Sequence, residues 1–240
     1  MKVAVIGNGR MGQILARLCR EAGHELAGLV GPGDTESVEM LGQVEAAIDF
    51  SYPGNLEALL KKAQQEKFPL VIGTTGYTAR QVEEIEKAAK TVPVVYASNY
   101  STGVTVMNRL VREAARVLGD FDVEIVETHH RMKVDAPSGT AKSLLASVDP
   151  EGRRPVLDGR SGIVGQRGDE IGMHALRGGT VAGEHRVLFF GEKEELEIRH
   201  RADDREIFAR GAMRALAFAA KAKPGLYNME DVLFGGTEQQ

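Results

Sequence analysis

The chain has 240 residues, 42% of them apolar and 27% charged, enough material for a real core in one large or two modest domains. Thirty basic and 34 acidic residues leave a net charge of −4, which makes no electrostatic case for nucleic acid or a membrane as partner. One cysteine, Cys19, excludes an internal disulfide framework and fits a reducing, cytoplasmic setting; no signal peptide or transmembrane helix is expected.

Lys2 to Ile6 is a short apolar run, as expected of a strand buried on both faces of a parallel sheet. Gly7-Asn8-Gly9-Arg10-Met11-Gly12 follows, and then Ile14, Leu15, Leu18 and Ala22 recur at helical spacing until Gly23. Leu26 to Val30 reads as a second strand. Strand, G-x-G-x-x-G, helix, strand is the context in which this pattern points to a dinucleotide. Gly7 allows the tight turn, Gly9 lets a pyrophosphate approach the backbone, and Gly12 lets helix and strand pack closely. The second strand is followed by Gly31-Pro32-Gly33, and the first acid is Asp34, so the usual ribose-binding carboxylate is missing. No Arg or Lys stands there for a 2′-phosphate; Arg10 is the nearest candidate. The preference between NADH and NADPH is left open.

The alternation continues. Ala46 to Phe50, Leu70 to Ile72 and Val94 to Tyr96 read as strands. Between them lie helices, one capped by Asn55 and one opened by a Thr78-Ala79-Arg80-Gln81 capping box. Ligands of such sheets lie outside the carboxyl ends of the strands. Gly73, Thr74 and Thr75, with Ala97, Ser98, Asn99 and Tyr100, are therefore candidate cofactor contacts. Val104 to Leu118 is a further helix. Polar, glycine-rich residues 149–169, with Arg153, Arg154, Arg160 and Arg167, read as a mobile loop. Ile171 to Leu176, His185 to Phe190 and Glu195 to His200 then read as strands of an antiparallel or mixed sheet, and Glu206 to Lys221 as a closing helix. The tail from Gly235 is expected to fray. The fold class is α/β: a Rossmann-type parallel-sheet dinucleotide domain, residues 1–101 completed by 205–240, and an α+β substrate and oligomerisation domain, residues 102–204.

Glu124 to Ala141, EIVETHHRMKVDAPSGTA, is the stretch with the most chemistry. A strand delivers His129, His130, Arg131 and Lys133, and a turn then opens into a helix near Thr140. Imidazoles and an ammonium offer protons at neutral pH. Backbone N–H groups of a Ser-Gly-Thr helix start offer themselves to an anion. A His-His pair alone is more often structural than catalytic, and Pro-Ser-Gly-Thr alone is a turn and cap; the combination describes a pocket for a small acidic substrate. Adjacent histidines on a strand point to opposite faces, and the single cysteine lies in a helix, so no metal site is expected.

These motifs resemble the 4-hydroxy-tetrahydrodipicolinate reductase (dihydrodipicolinate reductase) family over essentially the whole chain. E-x-H-H-x-x-K-x-D-A-P-S-G-T-A at Glu127 to Ala141 is the most specific part; G-x-G-R-M-G, D-F-S, G-T-T-G, N-Y-S-x-G, R-G-G…G-E-H and L-E-I-x-H-x-A support it. The resemblance implies reduction of a cyclic imine dicarboxylate by NADH or NADPH with loss of water, in lysine and diaminopimelate synthesis. It implies His129 as proton donor and acceptor, Lys133 as second proton donor, and His130, Gly139 and Thr140 as substrate contacts. Gly7, Asn8, Gly9, Arg10, Met11 and Gly12, with the Gly73 and Ala97 loops, would hold the cofactor, and a homotetramer is expected. Two departures stand out: a glycine loop one residue shorter than in some relatives, and Gly31-Pro32 where many members carry an acid and then a base. The competing readings are an amino-acid dehydrogenase of the aspartate or homoserine type, and a non-catalytic NAD(P)-sensing module.

Overall fold

The computed structural model describes residues 1–31 and 35–235. Pro32, Gly33 and Asp34, and the tail beyond Gly235, lie outside the described residues. In chain order the elements are β1 (Lys2–Ile6), α1 (Arg10–Glu21), β2 (Glu25–Val30), α2 (Thr35–Met40), β3 (Ala46–Asp49), α3 (Leu56–Glu66), β4 (Leu70–Ile72), α4 (Ala79–Ala89), β5 (Pro93–Tyr96) and α5 (Thr102–Val117). They continue with β6 (Asp122–His129), α6 (Gly139–Val148), β7 (Val156–Leu157), β8 (Ile171–Arg177), β9 (Gly183–Phe190), β10 (Glu195–Ala202), α7 (Glu206–Ala219), β11 (Gly225–Tyr227) and α8 (Met229–Phe234). The chain forms two compact units, Met1–Thr102 with the chain from Glu206 on, and Gly103–Arg205.

The first unit is a six-stranded sheet in the order β11-β5-β4-β3-β1-β2, with every pairing parallel. Both faces are covered, which is why its strands read as unbroken apolar runs. Ala4, Ile6, Leu70 and Ile72 pack with Leu59 of α3 and Ile85 of α4 on one face. Val3, Val5, Ile48 and Val71 pack with Leu15 of α1 and Ala212 and Leu216 of α7 on the other. β2 is an edge strand and only Val30 of it is fully buried. The strand order reverses between β1 and β3, and a crevice outside the carboxyl ends at such a reversal is where ligands bind.

The second unit is a five-stranded mixed sheet in the order β10-β9-β6-β8-β7. β9 is antiparallel to β6 and β10, whereas β8 is parallel to β6 and β7. One face carries Val123, Ile125, Ile171, Met173, Val187 and Phe189 against Met107 and Val111 of α5 and Ala141 and Leu144 of α6.

Several local expectations are corrected. The Thr78 capping box forms with Gln81, but Asn55 makes no side-chain cap. A 3₁₀ turn at Pro53–Asn55 precedes α3, and the Asn55 amide bonds Ser51 Oγ at 3.2 Å instead. Residues 149–169 are tied down: Arg160 pairs with Glu124 and Glu170, both at 2.9 Å, and Arg167 with Asp122 at 2.8 Å. These two arginines are engaged with the protein's own carboxylates, and β7 lies within the same stretch. α2, β7, β11 and α8 are short elements whose few residues carry no readable periodicity.

Candidate active site

At the carboxyl edge of the first sheet the ladder continues one residue beyond β1, β3, β4 and β5. Gly7 N–H bonds Val30 O at 2.7 Å, Phe50 N–H bonds Ile6 O at 2.9 Å, and Gly73 N–H bonds Asp49 O at 2.8 Å. Ala97 N–H reaches Ile72 O at 3.3 Å. The glycine loop and the loops after β3, β4 and β5 are thereby lined up along one edge of a single unit.

The glycines fit a dinucleotide for separate reasons. Gly7 has φ +114°, and a Cβ there would lie 2.2 Å from Phe50 O. A Cβ on Gly12 would lie 1.6 Å from Gly7 O, so only glycine lets α1 approach β1 this closely. Gly9 faces open space, and as N-cap of α1 it offers no side chain to the first-turn N–H groups. Such groups have no carbonyl partner within a helix and suit a pyrophosphate. Asn8, Arg10 and Met11 belong to the same loop and helix start. At the end of β2 the neighbours of Gly31 include the amides of Asn8 and Asn55.

Among the other cofactor candidates, Thr74 Oγ1 accepts from Ser51 N–H at 2.7 Å, joining the loops after β3 and β4. Asn99 Oδ1 accepts from Ser101 N–H at 2.8 Å. The Tyr100 side chain is in the core, its ring 5.4 Å from that of Phe50, and its hydroxyl lies 2.9 Å from the carbonyls of both Ile72 and Val95. Only its backbone is left for a ligand. Thr75, Ala97 and Ser98 complete these loops, and Gly73 is where the Phe50 ring lies, 2.3 Å from a built Cβ.

In the second unit β6 alternates: Val123, Ile125, Glu127 and His129 are buried, while Glu124, Val126 and Thr128 are half-buried. Register sets Val123 against Phe189, Ile125 against Val187, and then Glu127 against His185. One face of the sheet thus passes from apolar to polar along its strands. Glu127 has no solvent exposure. Arg177 grips it with two bonds, Nη1 to Oε2 at 2.9 Å and Nη2 to Oε1 at 2.8 Å. Ser138 N–H adds a third at 3.1 Å, and His129 Nδ1 lies 2.5 Å from Oε2. Burial pushes the Glu127 carboxyl up, but the bonds from Arg177 and His129 outweigh it and hold it below the usual range. Burial lowers the His129 imidazole; Glu127 opposes this, Lys133 and Arg177 add to it, and the net shift is downward.

An ionised carboxylate only accepts, so Nδ1 of His129 carries the proton of that bond. Nε2 is then the working nitrogen. A Cβ on Gly183 would lie 3.1 Å from Nε2, so the glycine keeps space beside it. His185 lies edge-on to His129 with ring centroids 5.2 Å apart, and its Nε2 is 3.0 Å from Ser138 Oγ. Burial brings His185 down to about 4, so it is neutral at pH 7.

His130 lies just past the end of β6, so the strand geometry that would set it opposite His129 does not apply; its carbonyl accepts from Lys133 N–H at 3.1 Å. Lys133 Nζ holds Asp135 at 2.8 and 3.0 Å. Ser138 caps α6 by accepting from Ala141 N–H at 3.2 Å, which places Gly139 and Thr140 in the first turn of the helix. His129, Lys133, Gly139 and Thr140 therefore belong to one region of one unit. Sequence reading passed over Glu127, Arg177 and His185 as functional residues. Strand alternation could have placed Glu127 on the face of His129, but strand pairing was needed to bring Arg177 and His185 beside it.

Two family models match the chain: the N-terminal domain of dihydrodipicolinate reductase over residues 1–100 and its C-terminal domain over residues 103–233. The chain belongs to the dihydrodipicolinate reductase family. Relatives named 4-hydroxy-tetrahydrodipicolinate reductase include one from Akkermansia muciniphila, 44% identical over 232 residues, covering 94% of each chain. Another, from Methanoregula boonei, is 43% identical over 249 residues, covering 97% of each. Among solved structures, a dipicolinate-bound dihydrodipicolinate reductase from Paenisporosarcina sp. TG-14 superposes with a TM-score of 0.79 at 23% identity, covering 97% and 99% of the two chains. At that identity the superposition speaks for the fold alone. Members of the family are NAD(P)H-dependent oxidoreductases, and the first unit has the cradle such a cofactor needs.

Proposed function

We propose that the chain reduces 4-hydroxy-tetrahydrodipicolinate to tetrahydrodipicolinate in lysine and diaminopimelate synthesis, with His129 as proton donor and acceptor and Lys133 as second proton donor. One hydride and one proton enter the substrate and one water leaves. Bound NADH or NADPH supplies the hydride. Gly7 to Gly12 with the Gly73–Thr75 and Ala97–Tyr100 loops hold that cofactor. His130 and the first turn of α6, at Gly139 and Thr140, hold the two substrate carboxylates, because N–H groups at a helix start favour an anion. The dipicolinate bound by the Paenisporosarcina protein is a dicarboxylate of this kind.

The observation that supports this reading most is the proximity of proton donors to an anion-suited helix start. A dianionic substrate beside His129 opposes the downward shift that burial imposes, so the imidazole gains a proton where one is needed. Lys133 already holds one carboxylate, that of Asp135, and a substrate carboxylate can take its place. Lys133→Ala is expected to lower kcat by about 100-fold or more with cofactor affinity unchanged. Equal losses in turnover and in cofactor binding, measured by fluorescence titration, would contradict the role of Lys133.

We place the protein in the cytoplasm as a homotetramer joined through the second unit. Among the described residues no helix is long and apolar enough to cross a membrane. Leu176 and Leu196 of the mixed sheet are 49% and 41% exposed, which suits burial against another copy.

A further inference from the structure

Glu127 is fully buried, yet it holds no position in the proposed chemistry. A buried carboxylate is costly unless its partners hold it, and here Arg177, Ser138 N–H and His129 do so with four contacts. Arg177 is committed as well: beyond Glu127, it donates to Asp135 O at 2.7 Å and Leu176 O at 2.7 Å. It thus ties the end of β8 to β6 and to the loop that carries Lys133. We infer that Glu127, clamped by Arg177, is a positioning residue that fixes the tautomer of His129 with Nδ1 protonated and turns Nε2 toward the substrate. The inference deepens the proposed reaction and rests on it.

The geometry leaves one arrangement. Both Glu127 oxygens are engaged by Arg177, so the carboxylate cannot swing away from the ring. Bidentate guanidinium–carboxylate contacts fix a plane as well as a distance. The charged and titratable groups facing His129 are Glu127 on its own strand, Arg177 on β8, His185 on β9 and Lys133 in the following loop. Glu127 is the sole anion of that set. Replacing it with a neutral amide leaves only groups that oppose protonation of His129. An amide can also donate to Nδ1, which would shift the proton to Nε2 and remove the ring's directional preference.

The test compares wild type, Glu127→Gln, Glu127→Asp, His129→Gln and the double variant Glu127→Gln/His129→Gln. Turnover is followed from about pH 5 to 9, where a histidine acid titrates. Glu127→Gln is expected to lower kcat by about 100-fold or more while KM changes less than about threefold. The limb on which activity falls with rising pH should move toward acid by about one unit or more. Glu127→Asp should recover part of both. If Glu127 acts through His129, the double variant is no worse than His129→Gln alone. An unmoved limb in Glu127→Gln, or a double variant whose loss is the product of the two single losses, overturns the inference. Nitrogen-15 spectra of the wild-type histidine rings decide the matter even if Glu127→Gln fails to fold: a His129 protonated at Nδ1 supports it, and one protonated at Nε2 overturns it. Absence of turnover in the wild type would overturn the reaction instead, and the ring spectra would still report whether Glu127 holds the imidazole.

Discussion

His185 is a neutral imidazole with 4% of its surface exposed, and it should make the protein sensitive to acid. Its folded pKa of about 4 lies below the unfolded value of 6.5. The unfolded chain therefore takes up the proton first as pH falls. This contribution is whole above pH 6.5 and drains away as pH drops toward 4. Between pH 7 and pH 5 the loss assignable to His185 is about 2 kcal/mol. In urea unfolding, the stability gap between wild type and His185→Gln should shrink by about that much over this range. A gap independent of pH would mean that His185 is not buried neutral. At this scale His129, His130 and Lys133 stood out as candidates because their chemistry is carried by residue type, whereas His185 did not stand out. Glu127 was legible as a motif letter but not as a partner of Arg177, 50 residues away, since a cross-strand register has no local signature. Tyr100, a candidate cofactor contact by its place in the loop after β5, has its side chain in the core.

Elements were readable where burial on both sides demanded it. The five-residue β1 and the four-residue β3 are fully or almost fully buried, and their apolar runs announced them. β11, three residues long with Leu226 44% exposed, announced nothing. Asn55 looked like a helix cap by residue type, but the 3₁₀ turn ahead of α3 gave its side chain another task. α7 depends on a close approach that only glycine permits: a Cβ on Gly211 would lie 1.6 Å from Tyr100 O. Gly211→Ala should therefore destabilise the first unit by about 3 kcal/mol, since backbone must move to admit one methyl group. Gly119→Ala is the control, because nothing lies within 4 Å of a Cβ there; it should change stability by less than about 0.5 kcal/mol. Equal effects in the two variants, by thermal unfolding, would contradict the packing argument.

At the scale of the molecule, the alternation of strands and helices through residue 96 specified a parallel sheet, and the later run of strands specified a different one. The sequence left an antiparallel or a mixed sheet open, and which neighbour of β6 is parallel was not legible, because parallel and antiparallel neighbours share the same apolar pattern. Oligomerisation is a property of this scale. Sedimentation equilibrium should give about four times the chain mass of 26.0 kDa, and a monomer at micromolar concentration would contradict the tetramer. The reaction itself is followed by absorbance of the reduced nicotinamide, with substrate generated in situ from pyruvate and aspartate semialdehyde by the preceding synthase. Oxidation that depends on the synthase is expected. Rates for NADH and NADPH within about tenfold of each other are expected, because among the described residues it is the amides of Asn8 and Asn55 that flank Gly31. Oxidation that proceeds without the synthase, or none with either cofactor from protein shown to bind both, would contradict the proposed reaction.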